Sequence, residues 1–435
     1  MTTPRKKEKR TAAIKLPLGA CGAAFTDGFL ITSQGLLFVM AAGSIPFTPE
    51  WMSLIAAAYV TGSFFGSFSF GHLADRFGRV VFYKTFPWLI TALGVLQFLS
   101  YSNLSWCLSR FAFGLMAGGD SPVSQAILFE RSKGRKRAQR LVLLMNAWFV
   151  GAVVSAFSAF AVVKLSLSWQ YFAGLPFLLG IFFGLIRWDT TESVSWLRSQ
   201  VLRRRERRMN RKLAETFAGK RTLQTFSLWS SSEVKNFLFL SVFWFCQALP
   251  VTVLLMFGPT FLSAFEGGSL LKDIEKIVVT DTFFLIGSLS ALYIVPRYSR
   301  KGVIVATFLF MGSALFLLSM NLTSSTTYVI PCLICYALAY GIQSVLDYVY
   351  PSELFPTEIR STALGLLGSV SRIGVFAAAL GFPMAFERFG LQPLLLSGAA
   401  VLFFGVLTSA WLAPSSHSSA LEGMKGLEST GKYLQ

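Results

Sequence analysis

Charge is what this sequence lacks. Only 14% of its 435 residues are Asp, Glu, Lys or Arg, against about a quarter in a soluble globular chain. Histidine is almost missing, with two residues, and cysteine is limited to five. His72 and His417 stand far apart, and Cys332 and Cys335 form a lone C-x-x-C without a partner pair. That pattern argues against a metal centre, and no metal or cofactor is expected. With so few nucleophile and acid–base residues near any predicted interface, an enzyme is not expected either. Acidic residues are scarcer than basic ones, 21 against 39, giving a net charge of +18.

What is present is apolar. Hydrophobic residues make up 54% of the chain, and mean hydropathy is +0.58. They fall in long blocks, each near the ~20 residues that a helix needs to cross the hydrocarbon core. Spans are predicted at 16–42, 51–71, 80–101, 104–129, 138–163, 167–187, 236–263, 274–295, 302–321, 326–350, 361–386 and 391–413. The expected fold class is therefore all-α integral membrane, with twelve transmembrane helices. Only the sixth-to-seventh connection is long, and it contains the basic run VLRRRERRMNRK. The chain is expected to divide into a six-helix bundle over 1–187, a cytoplasmic basic linker over 188–235, a second bundle over 236–413 and a cytoplasmic tail over 414–435. No cleavable signal peptide is expected, because the first apolar block outruns a short h-region.

The basic residues orient this layout. Lys164, Lys272, Lys276 and Arg388 are assigned to the outer side, Arg110 and Arg372 to spans, and every other Lys and Arg to the inner side. That asymmetry places both termini in the cytoplasm, which in a bacterial cell means a multi-pass inner-membrane protein. It also accounts for the positive charge without nucleic acid. The expected partners are the bilayer, a small-molecule substrate and H+, with the chain acting as a monomer.

The halves repeat. Glu130 precedes Arg137 by seven positions, and Glu353 precedes Arg360 by seven. Each pair sits at the inner end of the fourth helix of its half, and Gly118 matches Gly341 in the same register. Parallel repeats of this kind build carriers whose solute site lies between the halves.

Against this background the motifs resemble those of the major facilitator superfamily, in its sugar-porter and metabolite:proton symporter branch. Gly71-His72-Leu73-Ala74-Asp75-Arg76-Phe77-Gly78-Arg79 resembles the superfamily's loop between helices two and three. The resemblance implies a gating role for Gly71, Asp75, Arg76, Gly78 and Arg79. The corresponding stretch of the second half has Pro296 for Asp75 and Ser299 for Gly78, so a latch there is expected to be degenerate. Arg110–Arg140 and Ser352–Gly374 resemble the branch's fourth-helix and tenth-to-eleventh-helix signatures, and Thr191–Leu197 resembles the element after helix six. Glu130, Arg137, Glu353 and Arg360 complete the candidate gate. Asp27-Gly28-Phe29 resembles the start of helix one in metabolite symporters. The Gly-Pro signature of drug antiporters is missing from helix five, which disfavours export by antiport.

Ionisable groups deep in a span are functional candidates because they are costly to place there, about 2.5–3.5 kcal/mol on insertion scales. Asp27 lies about eleven residues, roughly 15 Å, into the first span. It is the candidate proton carrier, with Arg110 as the nearby cation and Asp120 as a second carboxylate. A static ion pair is the competing reading. Arg372 is a candidate for a substrate carboxylate or phosphate, or else a partner for Asp281 or Asp347. Gln34, Gln247, Gln343 and Trp148 are candidates to line the solute cavity. The expected function is alternating-access, proton-coupled import of a small organic solute, an organic acid or sugar-like metabolite. A proton-independent facilitator and a transporter-like sensor are the alternatives.

Overall fold

The computed structural model describes residues 4–131, 135–191, 231–265, 269–320, 326–355 and 360–414. Most of the expected linker and tail therefore lies outside the described residues. Twelve helices occur among them, numbered in chain order: α1 (Pro4–Met40), α2 (Pro49–Phe77), α3 (Arg79–Phe98), α4 (Asn103–Glu130), α5 (Arg135–Lys164), α6 (Trp169–Arg187), α7 (Ser231–Ser263), α8 (Leu270–Ile294), α9 (Arg300–Met320), α10 (Thr326–Leu354), α11 (Arg360–Phe389) and α12 (Leu391–Leu412). Each predicted span falls on one of them. α1 starts earlier than predicted because the charged segment before Lys15 continues the helix, while its apolar part is Lys15–Met40.

Eleven of these helices are long and apolar enough to cross a membrane. α4 falls short of that mark, since it carries Arg110, Asp120 and a run of small and polar residues. Those groups turn inward: Arg110 and Asp120 are both buried. Large apolar side chains point the other way, with Phe68 77% and Trp411 87% exposed. A surface of that kind suits lipid, where no hydrophobic penalty attaches to exposed rings. Helices are the natural spanning element because their backbone polar groups are satisfied internally.

The chain divides into two compact units, Met1–Ser231 and Ser232–Gln435. In the first, the closely packed pairs include α2 with α4, α1 with α5, α3 with α6 and α3 with α4. In the second they are α8 with α10, α9 with α12 and α9 with α10. Three pairs thus recur with a shift of six helices. The matched glycines show why. A methyl group on Gly118 would collide with the Ser63 backbone of α2, and one on Gly341 would collide with the Phe284 carbonyl of α8. Small residues at such crossings let two backbones meet, the usual device of helix packing in lipid.

The fourth pair has no counterpart of comparable packing among the described residues. α1 and α5 touch backbone to backbone, Gly28 against the Trp148 carbonyl and Gly151 against the Phe25 carbonyl. α7 instead packs through rings: Phe239 on Tyr350 at 6.1 Å, Phe243 on Phe308 at 5.7 Å and Phe257 on Phe382 at 5.2 Å between centroids. It is also bent. Phe257, between Pro250 and Pro259, leaves helical geometry at φ −129° and ψ 20°, as expected where proline removes a backbone donor.

Candidate transport site

The first unit assembles its polar centre around α1. Asp27 and Gln34 are seven residues apart, two turns, and so share a face. Tyr59 of α2 donates to Asp27 Oδ1 at 2.6 Å, and Trp148 Nε1 of α5 donates to Oδ2 at 2.8 Å. The close approach at Gly28 brings the Trp148 backbone against α1, which sets the indole where it can reach the carboxylate. Charge-assisted bonds of this type are the stronger class of hydrogen bond.

Arg110, expected as the cation near Asp27, makes no ion pair with Asp27 or Asp120, so the static pair of the competing reading is not formed. Its Nη1 donates to the Leu30 carbonyl at 2.8 Å and its Nη2 to Ser33 Oγ at 3.4 Å. The guanidinium thus clamps the backbone of α1 about one turn beyond Asp27. Tyr59, which donates to Asp27, also lies within electrostatic reach of Arg110. Gln34 is fully buried, and neither of its amide atoms has a partner among the described residues.

Asp120 has a different role in the packing. Arg187, at the end of α6, donates Nη1 to both of its oxygens at 2.7 and 2.8 Å, and Ser124 Oγ adds a bond at 2.9 Å. The same guanidinium donates to the Gly19 carbonyl at 2.9 Å and the Tyr83 carbonyl at 3.0 Å, and lies 4.3 Å from the Tyr83 ring centroid. This group ties α1, α3, α4 and α6 together. Arg187, assigned from sequence to the inner side with the loop residues, is 1% exposed. Its separation of 67 residues from Asp120 left no local pattern to read; its place at the end of an apolar block was the available hint. Tyr59 was missed in the same way, as an amphipathic residue inside an apolar run.

In the second unit Gln247 of α7 donates Nε2 to Asp347 Oδ1 of α10. Gln343 precedes Asp347 by one turn on α10, is fully buried, and has neither amide atom partnered among the described residues. Arg372 is half-buried on α11 and makes no ion pair with Asp281, Asp347 or any other described residue. Lys276, expected in the outer connection, is buried within α8 and bonded to Asp273 at 3.3 Å. A cavity of about 210 Å³ lies among α7, α11 and α12, lined by Pro250, Leu254, Phe382 and Leu395 among others. Its lining is almost wholly apolar and includes none of Gln247, Gln343 and Arg372, so it does not suit a polar solute.

At the proposed gate, Gly78 closes α2 at φ 113°, its amide donating to the Ala74 carbonyl at 3.0 Å. Only glycine takes that conformation without strain, which explains its place in the turn. Gly71 has open space around it, Arg76 is exposed and lies 5.4 Å from the Phe77 ring centroid, and Arg79 opens α3. The side chains of Asp75, Glu130, Arg137 and Arg360 lie outside the described residues, as do 192–197 of the element after helix six. Glu353 is joined to Arg300, whose Nη2 and Nε donate at 2.9 and 3.2 Å. The second-half turn, expected to be degenerate, thus supplies an ion pair through Arg300.

Twelve helices among the described residues, eleven of them long and apolar enough to cross a membrane, in two units whose packing repeats and whose interiors bury charged groups, define a polytopic membrane carrier. The Major Facilitator Superfamily model matches residues 20–379, and the chain belongs to that family of transporters. It is 26% identical over 429 residues to YaaU of Escherichia coli (strain K12), covering 97% of this chain and 96% of that one. It is 24% identical over 413 residues to the inner membrane metabolite transport protein YgcS of the same strain, covering 92% and 91%. The crystal structure of a D-xylose-proton symporter superposes with a TM-score of 0.77 at 16% identity, covering 93% of this chain and 98% of that one. That last likeness concerns the fold.

Proposed function

We propose that this transporter imports a small organic metabolite by alternating access, drawing on the proton gradient through Asp27. The carrying observation is the setting of that carboxylate. It sits in the apolar part of α1, held by two neutral donors, Tyr59 and Trp148, and pairs with no cation among the described residues. A carboxylate so placed keeps acceptor capacity for a proton, whereas Asp120 is fully engaged by Arg187. Arg110 is held instead by the Leu30 carbonyl and Ser33 of α1, which leaves the Asp27 carboxylate without a fixed counter-charge. Asp120 is accordingly a structural anchor in this reading.

Gln34, Gln247 and Gln343 keep free amide atoms inside the two units, and these suit hydroxyl or carboxylate groups of an organic acid or sugar-like solute. Arg372 supplies an uncommitted cation for an anionic group. The similarity to YgcS, an inner membrane metabolite transport protein, agrees with this class and with placement in the inner membrane. The lysine and arginine distribution supports cytoplasmic termini, and the carrier is taken to act as a monomer. Uptake from a mixed metabolite pool into proteoliposomes, with and without an imposed pH gradient, tests the proposal. Accumulation of one solute only under an inward proton gradient is expected. Equal uptake without the gradient makes the chain a facilitator.

A further inference from the structure

α8 carries a second membrane-embedded acid that coupling through Asp27 does not use. Ile274, Ile277, Asp281, Phe284, Ser288 and Ala291 are all buried. Their spacing of three and four residues forms one helix face, and that face includes the close approach of Phe284 and Ser288 to Gly341 of α10. Asp281 is 3% exposed, its Oδ2 is buried without a partner, and it makes no hydrogen bond or ion pair with any described residue.

The surrounding charges leave it alone. On α8, Lys276 is bonded to Asp273. On α10, Tyr336 and Tyr340 pack their rings on Phe284 and Asp347 accepts from Gln247; its other described titratable groups are Tyr328, Cys332, Cys335, Tyr350 and Glu353. None of these is a cation. Arg372 of α11 makes no ion pair, and Arg300 of α9 is bonded to Glu353. An ionised carboxylate with neither partner nor water is the least favourable state available to it. A structural acid at such a place acquires an arginine, as Asp120 has. Retaining an acid without one suits a group that takes up and gives back a neutralising ion.

We infer that Asp281 is a second coupling-ion site, in the C-terminal unit, holding a proton while its carboxyl group is buried and releasing it when water reaches that group. The inference rests on reading the chain as a proton-driven carrier, and it adds a second ionisable step to the one at Asp27. It does not require Asp27 to be the first.

The test needs no knowledge of the solute, because the probe is the proton itself. Full-length protein in lipid bilayers is titrated through the neutral pH range, and the carbonyl band of protonated carboxyl groups is followed by infrared difference spectroscopy. A titrating band is expected in the wild type and in Asp27→Asn, and lost in Asp281→Asn. Asp281→Glu, which preserves the acid, is expected to restore a band at a shifted frequency, and this guards against loss of fold. An unchanged band in Asp281→Asn overturns the inference. So does a band that vanishes on substitution yet does not titrate, which marks a permanently neutral structural acid. A band displaced by sodium chloride but not by choline chloride overturns the proton assignment in favour of sodium. Failure of the Asp27 reading appears separately, as unchanged gradient-driven uptake in Asp27→Asn with the Asp281 band intact.

Discussion

The two units use the same packing plan and differ in how they treat their first helix and their charges. In the first unit α1 is pinned: glycine contacts seat it on α5, Arg110 clamps its backbone, and Asp27, Asp120, Arg110 and Arg187 all have partners. In the second, α7 is bent at Phe257 and spaced from its neighbours by phenylalanine rings. There Asp281, Gln343 and Arg372 hold uncommitted groups. The contrast suggests a division of labour, with a half that holds Asp27 rigidly and a half whose first helix can adjust and whose Asp281 and Arg372 make no ion pair among the described residues. Ring contacts tolerate small shifts, whereas a carbonyl packed against a glycine does not.

The contrast can be broken most severely at the α1–α5 contact. Gly28→Leu places a side chain into the Trp148 carbonyl, and a loss of several kcal/mol is expected, beyond the ~1–3 kcal/mol of ordinary overpacking. A Cβ atom at Gly381 on α11 meets nothing within 4 Å, so Gly381→Leu is expected to be far milder; thermal unfolding of the detergent-purified variants compares them. Arg187→Leu comes next. It strands a buried Asp120, at a cost of ~3–5 kcal/mol, and Asp120→Leu in the same chain is expected to recover most of that stability. If the double variant is as unstable as the single, the pair is not the source of the loss.

Smaller effects sharpen the site itself. Tyr59→Phe removes one hydrogen bond to the Asp27 carboxylate, worth ~1.5–3 kcal/mol. It is expected to lower gradient-driven uptake several-fold while expression and gradient-free exchange are unchanged, as read from initial rates in proteoliposomes. Arg300→Ala is expected to cost less than Arg187→Leu. The Arg300 side chain is 7% exposed and that of Glu353 27%, so the cost is expected between the surface-pair and buried-pair ranges, about 1–3 kcal/mol. The informative reading there is accessibility labelling of α10, with faster modification expected near Glu353.

Much of this was legible in the sequence for a simple reason. Apolar blocks of span length admit little besides helices, so the elements, their number and the six-plus-six repeat followed from composition and order. Gly78 was legible because a two-helix turn leaves few alternatives. The partners of the buried charges were not. Asp27 meets residues 32 and 121 positions away, and only the fold brings Tyr59 and Trp148 together. Direct pairing of Asp27 with Arg110 was the natural guess from charge alone, but Arg110 is satisfied by backbone carbonyl and hydroxyl oxygens, which carry no sequence signature. Arg187 read as one more loop arginine because nothing local separates a helix-end cation facing lipid headgroups from one turned into the bundle.

The central claim is that protonation of Asp27 drives accumulation. The direct measurement compares wild type and Asp27→Asn in proteoliposomes loaded with the solute selected from the mixed pool, scoring uphill uptake under a pH gradient beside equilibrium exchange without one. The account predicts that the variant keeps exchange and loses uphill uptake. Gradient-driven accumulation at the wild-type level in Asp27→Asn would contradict it.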